Sequence, residues 1–215
     1  MSSQAIAPPL LARVDEAPDP LFYQQPRFVT HIDAATIEAL TSLYRERLPT
    51  GGDLLDLMSS WVSHLPPEAR YARVAGLGMN ADELEANPRL SENRVHDLNA
   101  DPVLPYDSEC FDAVLIAVSV QYLVHPVEVF REIRRVLRPG GEALVAVSHR
   151  IFPTKAIALF RAAPPLERPR IVARYCEAAG GFETPELLDR SPQRSQPTDP
   201  LWVVAARRTA ATRVS

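Results

Sequence analysis

The 215 residues suffice for one domain around a single core, since a chain of this length buries roughly 70% of its unfolded surface. Apolar residues at 46% and charged residues at 23% match ordinary globular proteins and exclude whole-chain disorder, and no apolar run approaches the roughly 18 residues of a membrane span. The net charge of −4, with 23 basic and 27 acidic residues scattered rather than striped, leaves no electrostatic footprint for nucleic acid and directs the search to a small-molecule partner.

Residues 1–20 are rich in Pro, Ala and Ser without a sustained period, and read as a flexible leader in which little chemistry resides. The first nine residues lack the basic start and apolar stretch of a secretory signal, and Pro8 and Pro9 interrupt any transit helix, so a cytoplasmic protein is expected. One domain then spans 21–215, with an N-terminal lid and helix over 21–50 and a core over 51–215. Asp33 is placed to cap a helix running to about Leu48, because Ile37, Leu40, Tyr44 and Leu48 recur at three- and four-residue spacing; Pro49, Gly51 and Gly52 end it.

Alternation follows. A short apolar strand is expected at 53–57, a helix beginning over 61–65 and stopped by Pro66 and Pro67, a strand at 71–77, a short helix at 81–87 and a strand at 93–97. Residues 111–118 (FDAVLIAV) form a near-continuous apolar run, as in a strand buried on both faces. An amphipathic helix at 127–137 keeps Val129, Ile133, Val136 and Leu137 inward; Pro139, Gly140 and Gly141 stop it before an apolar strand at 142–148. A helix at 168–179 and strands at 182–188 and 201–206 complete the chain, the last two as an antiparallel pair at a sheet edge. Strand, helix and strand in that order imply right-handed parallel crossovers in an α/β fold. Cys110 and Cys176 are far apart and in no CxxC, and the five histidines show no metal-ligand spacing, so neither a disulfide nor a metal is expected.

The block LPYDSECFDAVLIAVSVQYL, followed by FREIRRVLRPGGEALVAVS, resembles the small-molecule class I S-adenosylmethionine-dependent methyltransferases of type 11. That family has an acid after its third strand, a Leu-Pro-Phe-like turn, Phe-Asp opening the fourth strand, and Leu-x-Pro-Gly-Gly leading into the fifth. Here these are Asp97, Leu104 to Tyr106, Phe111 with Asp112, and Leu137 to Gly141. The resemblance implies a Rossmann-like, seven-stranded, mostly parallel sheet with helices on both faces and an antiparallel last strand. It also implies S-adenosylmethionine as cofactor, S-adenosylhomocysteine as product, and a small-molecule acceptor, with neither nucleic acid nor membrane as partner. In such sheets ligands bind at the carboxyl ends of the strands, where the topology reverses.

The implied cofactor residues begin with Asp56, the family's acid after the first strand, and Ser59, which stands where the family has glycine. Ser59 and Ser60 could hold the cofactor carboxylate at a helix start or only cap that helix. Gly76 and Gly78 end the second strand, and Gly78 occupies the position of the acid that bridges the ribose hydroxyls, leaving Asn80 or water to compensate. Met79 would face adenine or the core. Asp97 and Leu98 would take the adenine edge, unless Asp97 caps a turn. Ile116 and Val118 would line the methionine moiety. On the acceptor side the resemblance implies Gln121 and Tyr122 after the fourth strand, and Tyr23, Arg27 and His31 from the lid segment, with His31 as a candidate general base. The same three could be structural. Loss of the two glycines and the ribose acid motivates a second reading, a degenerate fold serving as a non-catalytic binding or assembly module. A nicotinamide enzyme is disfavoured because Gly76-x-Gly78 is not part of a GxGxxG and follows the second strand.

Overall fold

The computed structural model describes residues 6–193 and 195–210. In chain order these form α1 (Pro8–Leu11), α2 (Asp19–Tyr23), α3 (Ala34–Arg47), β1 (Asp53–Leu57), β2 (Arg73–Gly78), α4 (Ala81–Glu85), β3 (Glu92–Val95), β4 (Phe111–Ala117), α5 (Pro126–Val136), β5 (Leu137–Val147), α6 (Ala158–Ala162), α7 (Arg168–Ala179), β6 (Glu186–Asp189) and β7 (Trp202–Arg207). The strands make one sheet in the order β3-β2-β1-β4-β5-β7-β6. β1 pairs in parallel with both β2 and β4, so the topology reverses between β1 and β4 and their carboxyl ends open a crevice there. β7 runs antiparallel between β5 and β6, forming the expected edge pair.

The central strands are buried on both sides, which explains why β4 reads as a near-continuous apolar run. On one face α5 and α7 pack through Val129, Phe130, Ile133, Val172 and Cys176; on the other, Leu40, Leu43 and Tyr44 of α3 meet Leu54, Leu115 and Leu144. Each such aliphatic side chain contributes about 1.5–3 kcal/mol on full burial. Asp33 caps α3 as expected, its Oδ1 accepting from the Thr36 amide at 2.9 Å. Among the described residues no helix is long and apolar enough to cross a membrane.

Three expectations change. No helix follows β1: residues 58–72 are irregular, because Met58 and His64 hold left-handed backbones (φ 58° and 55°) and the prolines at 66 and 67 leave too few residues to nucleate a helix between them. β5 starts at Leu137 and runs through Pro139 to Gly141, with a register shift against β4 between Phe111 and Ala113 that absorbs the turn, and Gly140 takes φ 80°. The flexible leader is, from Pro8 onward, part of the fold: the Val14 and Asp15 amides donate to the Thr154 carbonyl (3.1 and 2.9 Å), and the Ala158 amide donates to Ala12 (2.8 Å). This segment is held by backbone and charge contacts rather than by an apolar stripe, so periodicity could not reveal it. Residues 1–5 of the leader and 211–215 of the core lie outside the described residues.

Candidate functional site

A cavity of about 380 Å³ lies at the carboxyl ends of β1, β2 and β4 and the turn after β3, roofed by residues between Asp19 and His31 and by the stretch 150–152. Its volume falls at the lower end of the roughly 300–1,000 Å³ typical of small-ligand sites. Of the residues expected from sequence, Tyr23, Arg27, His31, Asp56, Ser59, Gly78, Met79, Asp97, Leu98, Val118 and Tyr122 line it.

The β1 end carries the strongest electrostatics. Asp56 is only 3% exposed, and its Oδ2 accepts from the Ser59 and Ser63 hydroxyls, both at 2.6 Å. Burial pushes its carboxyl up to about 6, against the lowering effect of the two hydroxyls. The Ser59 amide donates to the Leu77 carbonyl at 2.8 Å, drawing this loop across the end of β2. A Cβ at position 78 would run into the Ser59 carbonyl oxygen. The missing glycines and the missing ribose acid are therefore one departure: the loop that replaces the glycine turn fills the space an acid at 78 would need. With no helix here, neither Ser59 nor Ser60 acts as a helix cap.

Asn80 does not substitute for that acid. Its amide donates to the Tyr23 and Gln24 carbonyls (2.9 and 3.2 Å), and its Oδ1 caps α4 by accepting from the Glu83 amide (3.1 Å). Glu83 itself is the acid the cavity has beside Gly78: its Oε1 accepts from the Arg27 amide and its Oε2 from the Ser60 hydroxyl, each at 2.6 Å.

After β3, Asp97 lines the cavity while its Oδ1 accepts from the Asn99 and Ala100 amides (2.9 and 3.3 Å), so the turn-capping reading holds for that oxygen. After β4, Val118 faces the cavity with a left-handed backbone (φ 45°), alongside Ala117 and Ser119. Three expected residues sit elsewhere. Ile116 is fully buried in the core, one residue too deep in its strand; Gly76 lies under the Leu90 side chain rather than at the rim; and Gln121, 2% exposed in a 3-10 turn (Val120–Tyr122), donates to the Val118 carbonyl at 2.7 Å.

The roof is aromatic and cationic. The Arg27 guanidinium lies 4.4 Å over the Phe22 ring and Nη2 donates to the Phe22 carbonyl (2.8 Å). Tyr122 stacks on Phe152 (5.7 Å) and its hydroxyl accepts from the Phe152 amide (2.8 Å), while His31 meets Phe152 edge-on at 5.4 Å. Burial lowers the basicity of His31, and brings His64 down to about 4 with the neighbouring His31 adding to the effect. Burial also raises the Tyr23 hydroxyl above its ordinary range. Sequence reasoning missed His64, Glu83, Ser119 and Phe152. Glu83 reads as an ordinary acid in the first turn of a helix, and the others face the cavity only because of loop geometry.

Asp56 and His64 should give opposite pH signatures. The native state binds more protons at Asp56 than the unfolded chain between pH 3.8 and about 6, so this carboxyl's contribution to stability falls as pH rises through that window. At His64 the native state binds fewer protons between about 4 and 6.5, so its contribution rises with pH. Each shift of about two units corresponds to ~3 kcal/mol. Relative to the parent, Asp56→Asn should gain stability from pH 4 to 6.5 and His64→Gln should lose it, by amounts of that order. Denaturant titrations across pH check this; parallel profiles for all three proteins would contradict it.

Residues 59–145 match the model of the family described as Methyltransferase domain. Over 102 residues, 45% of this chain and 42% of the relative, the sequence is 32% identical to a demethylmenaquinone methyltransferase of Clavibacter sepedonicus. The match thus spans less than half of that relative's length. Among solved structures, the [4+2]-cyclase SpnF superposes with a TM-score of 0.59 at 20% identity, covering 80% of this chain and 81% of the other. An S-adenosylmethionine-dependent methyltransferase from Mesorhizobium loti superposes with 0.56 at 18% identity, covering 79% and 98%. At these identities the two structures share the fold.

Proposed function

We propose that the chain is a class I S-adenosylmethionine-dependent methyltransferase of type 11, that it binds S-adenosylmethionine in the cavity above β1 and β4, and that it transfers the methyl group to a small-molecule acceptor. The observation that carries the reading is the gathering of Asp56, Met79, Asp97 and Leu98 from three successive strand ends on one cavity at the topological switch. The donor set suits the cofactor: Met79 and Leu98 are apolar surfaces for adenine, Asp97 offers its second carboxylate oxygen to the exocyclic amine, and Asp56 supplies negative charge for the ammonium. Glu83 stands in for the ribose acid that Gly78 cannot provide.

Bound there, the cofactor supplies an already activated methyl group on a cationic sulfur. The chain's part is positioning, which accounts for a large share of the acceleration in such reactions. Tyr23, Tyr122 and Phe152 exclude water and orient the acceptor beneath the roof. His31, neutral at pH 7 because burial lowers its basicity, can take the proton from an acceptor O–H or N–H.

A second reading, a fold kept for binding without methyl transfer, is favoured by one observation: the loop after β1 has neither helix nor glycines, and it crowds Gly78. Calorimetric titration with S-adenosylmethionine and S-adenosylhomocysteine separates the two. Micromolar binding, lost in Asp97→Ala, is expected, and ligand at 100 times its dissociation constant should stabilise the protein by ~2.7 kcal/mol. Silence at millimolar ligand would replace the first reading by the second.

A further inference from the structure

The loop after β1 lacks the helix start and the free hydroxyls that favour an anion. It has no helix, so there is no N-terminal dipole, and its hydroxyl hydrogens are engaged: Ser59 and Ser63 donate to Asp56, and Ser60 donates to Glu83. The two carboxylates, Asp56 and Glu83, would moreover repel a third. A cofactor that ends in an amino acid is therefore better served by a cation on the cavity wall for its carboxylate.

The roof supplies a cation. Arg27 lines the cavity, and its Nη1 is buried with no hydrogen-bond partner. Among the described residues its side chain donates one hydrogen bond, from Nη2 to the Phe22 carbonyl, which carries no full charge, and the Phe22 ring covers one face of the guanidinium. A guanidinium buried without a carboxylate is costly unless a ligand brings the anion. A second orphan lines the same cavity from the loop after β1: His64, 7% exposed, has its Nδ1 buried and, among the described residues, unpartnered.

We propose that Arg27 is the anion receptor of this cavity and pairs through Nη1 with the carboxylate at the amino-acid end of the cofactor, with His64 Nδ1, from the loop after β1, as a second donor in the tautomer that protonates it. This rests on the methyltransferase reading. It relocates the recognition of the cofactor's charged end from the end of the sheet toward the roof.

The test compares two ligands that differ only at that end: S-adenosylhomocysteine, which has the carboxylate, and 5′-methylthioadenosine, which lacks the amino acid altogether. Calorimetry is run on the parent, Arg27→Gln and Arg27→Lys. Charged hydrogen bonds of this kind correspond to about 10- to 100-fold in affinity. Arg27→Gln should lose that factor for S-adenosylhomocysteine and keep the parent's affinity for methylthioadenosine, which also shows that the cavity is intact; Arg27→Lys should recover part of the loss. If Arg27→Gln weakens both ligands equally, or neither, the assignment is wrong, and Arg27 either props the Phe22 wall or faces a carboxylate on the acceptor. A parent protein silent to both ligands would remove the methyltransferase reading itself, and this assignment with it.

Discussion

Exchanging Lys155 for methionine should release the N-terminal segment and lower stability by about 3–5 kcal/mol, the usual cost of leaving buried charges without their partner. Lys155 is fully buried, with Nζ 3.1 Å from Asp19 Oδ1 and 3.2 Å from Asp15 Oδ2, and it donates to the Ala17 carbonyl at 2.7 Å. Asp19, itself 5% exposed, also accepts from Arg13 Nη1 (2.6 Å) and Asn99 Nδ2 (2.7 Å), so Lys155 ties the leader to the segment after β5 and Asn99 ties the same carboxylate to the turn after β3. For a chain of this size the loss corresponds to a fall in melting temperature on the order of 10 °C. Protease should then cut within residues 8–33 while the sheet stays protected. Adding Asp19→Asn to the Lys155 variant should destabilise further rather than rescue, because Arg13 Nη1 still compensates that carboxylate and would lose its own partner. A melting temperature unchanged by Lys155→Met would mean that the segment is held by its backbone contacts alone.

Restoring the family's acid with Gly78→Asp should damage the protein, not improve cofactor binding. The obstacle is the Cβ, which meets the backbone carbonyl of Ser59, and a backbone atom cannot swing aside as a side chain can. Overpacking of this kind costs about 1–3 kcal/mol, and the closeness of the contact puts Gly78 at the upper end. Gly78→Ala should therefore destabilise as much as Gly78→Asp, and both should displace the loop that carries Ser59 and Ser60 from Asp56 and Glu83. Melting curves and S-adenosylhomocysteine titration of the two variants check this together. Tighter binding by Gly78→Asp with an unchanged melting temperature would show instead that the loop yields.

The sheet was largely readable because its signals are local. FDAVLIA had to be a strand buried on both faces, VEVFREIRRVL had to turn one side inward, and Asp33 announced the start of α3 by its capping chemistry. What escaped depended on conformations that composition does not encode. Nothing in Trp61 to Leu65 reveals that His64 adopts a left-handed backbone, yet that residue, with the prolines after it, removes a whole helix and reshapes the β1 end of the cavity. Ile116 and Gly76 were misplaced because only the last residues of a strand reach the rim, and a shift of one or two positions moves a side chain from cavity to core. The lid fared better: Tyr23, Arg27 and His31 stood out as a dense aromatic and basic group, whereas their anchors, Asn80 and Glu83, look like ordinary helix-start residues until the fold brings them together.

The roof of the cavity is translated first and secured last. Lys155 lies 138 residues beyond Ala17, whose carbonyl it holds, and the Thr154 and Ala158 contacts lie as far along the chain. At roughly 5–20 residues per second, the leader waits on the order of 10 s after its own synthesis before its partners exist. During that interval Phe22 and Tyr23 have no Phe152 to cover, so the nascent chain offers an aromatic segment near its start to any holdase at the ribosome exit. Assembly of the candidate ligand site is consequently a late step in synthesis and folding, complete only when the two ends of this 140-residue loop have met.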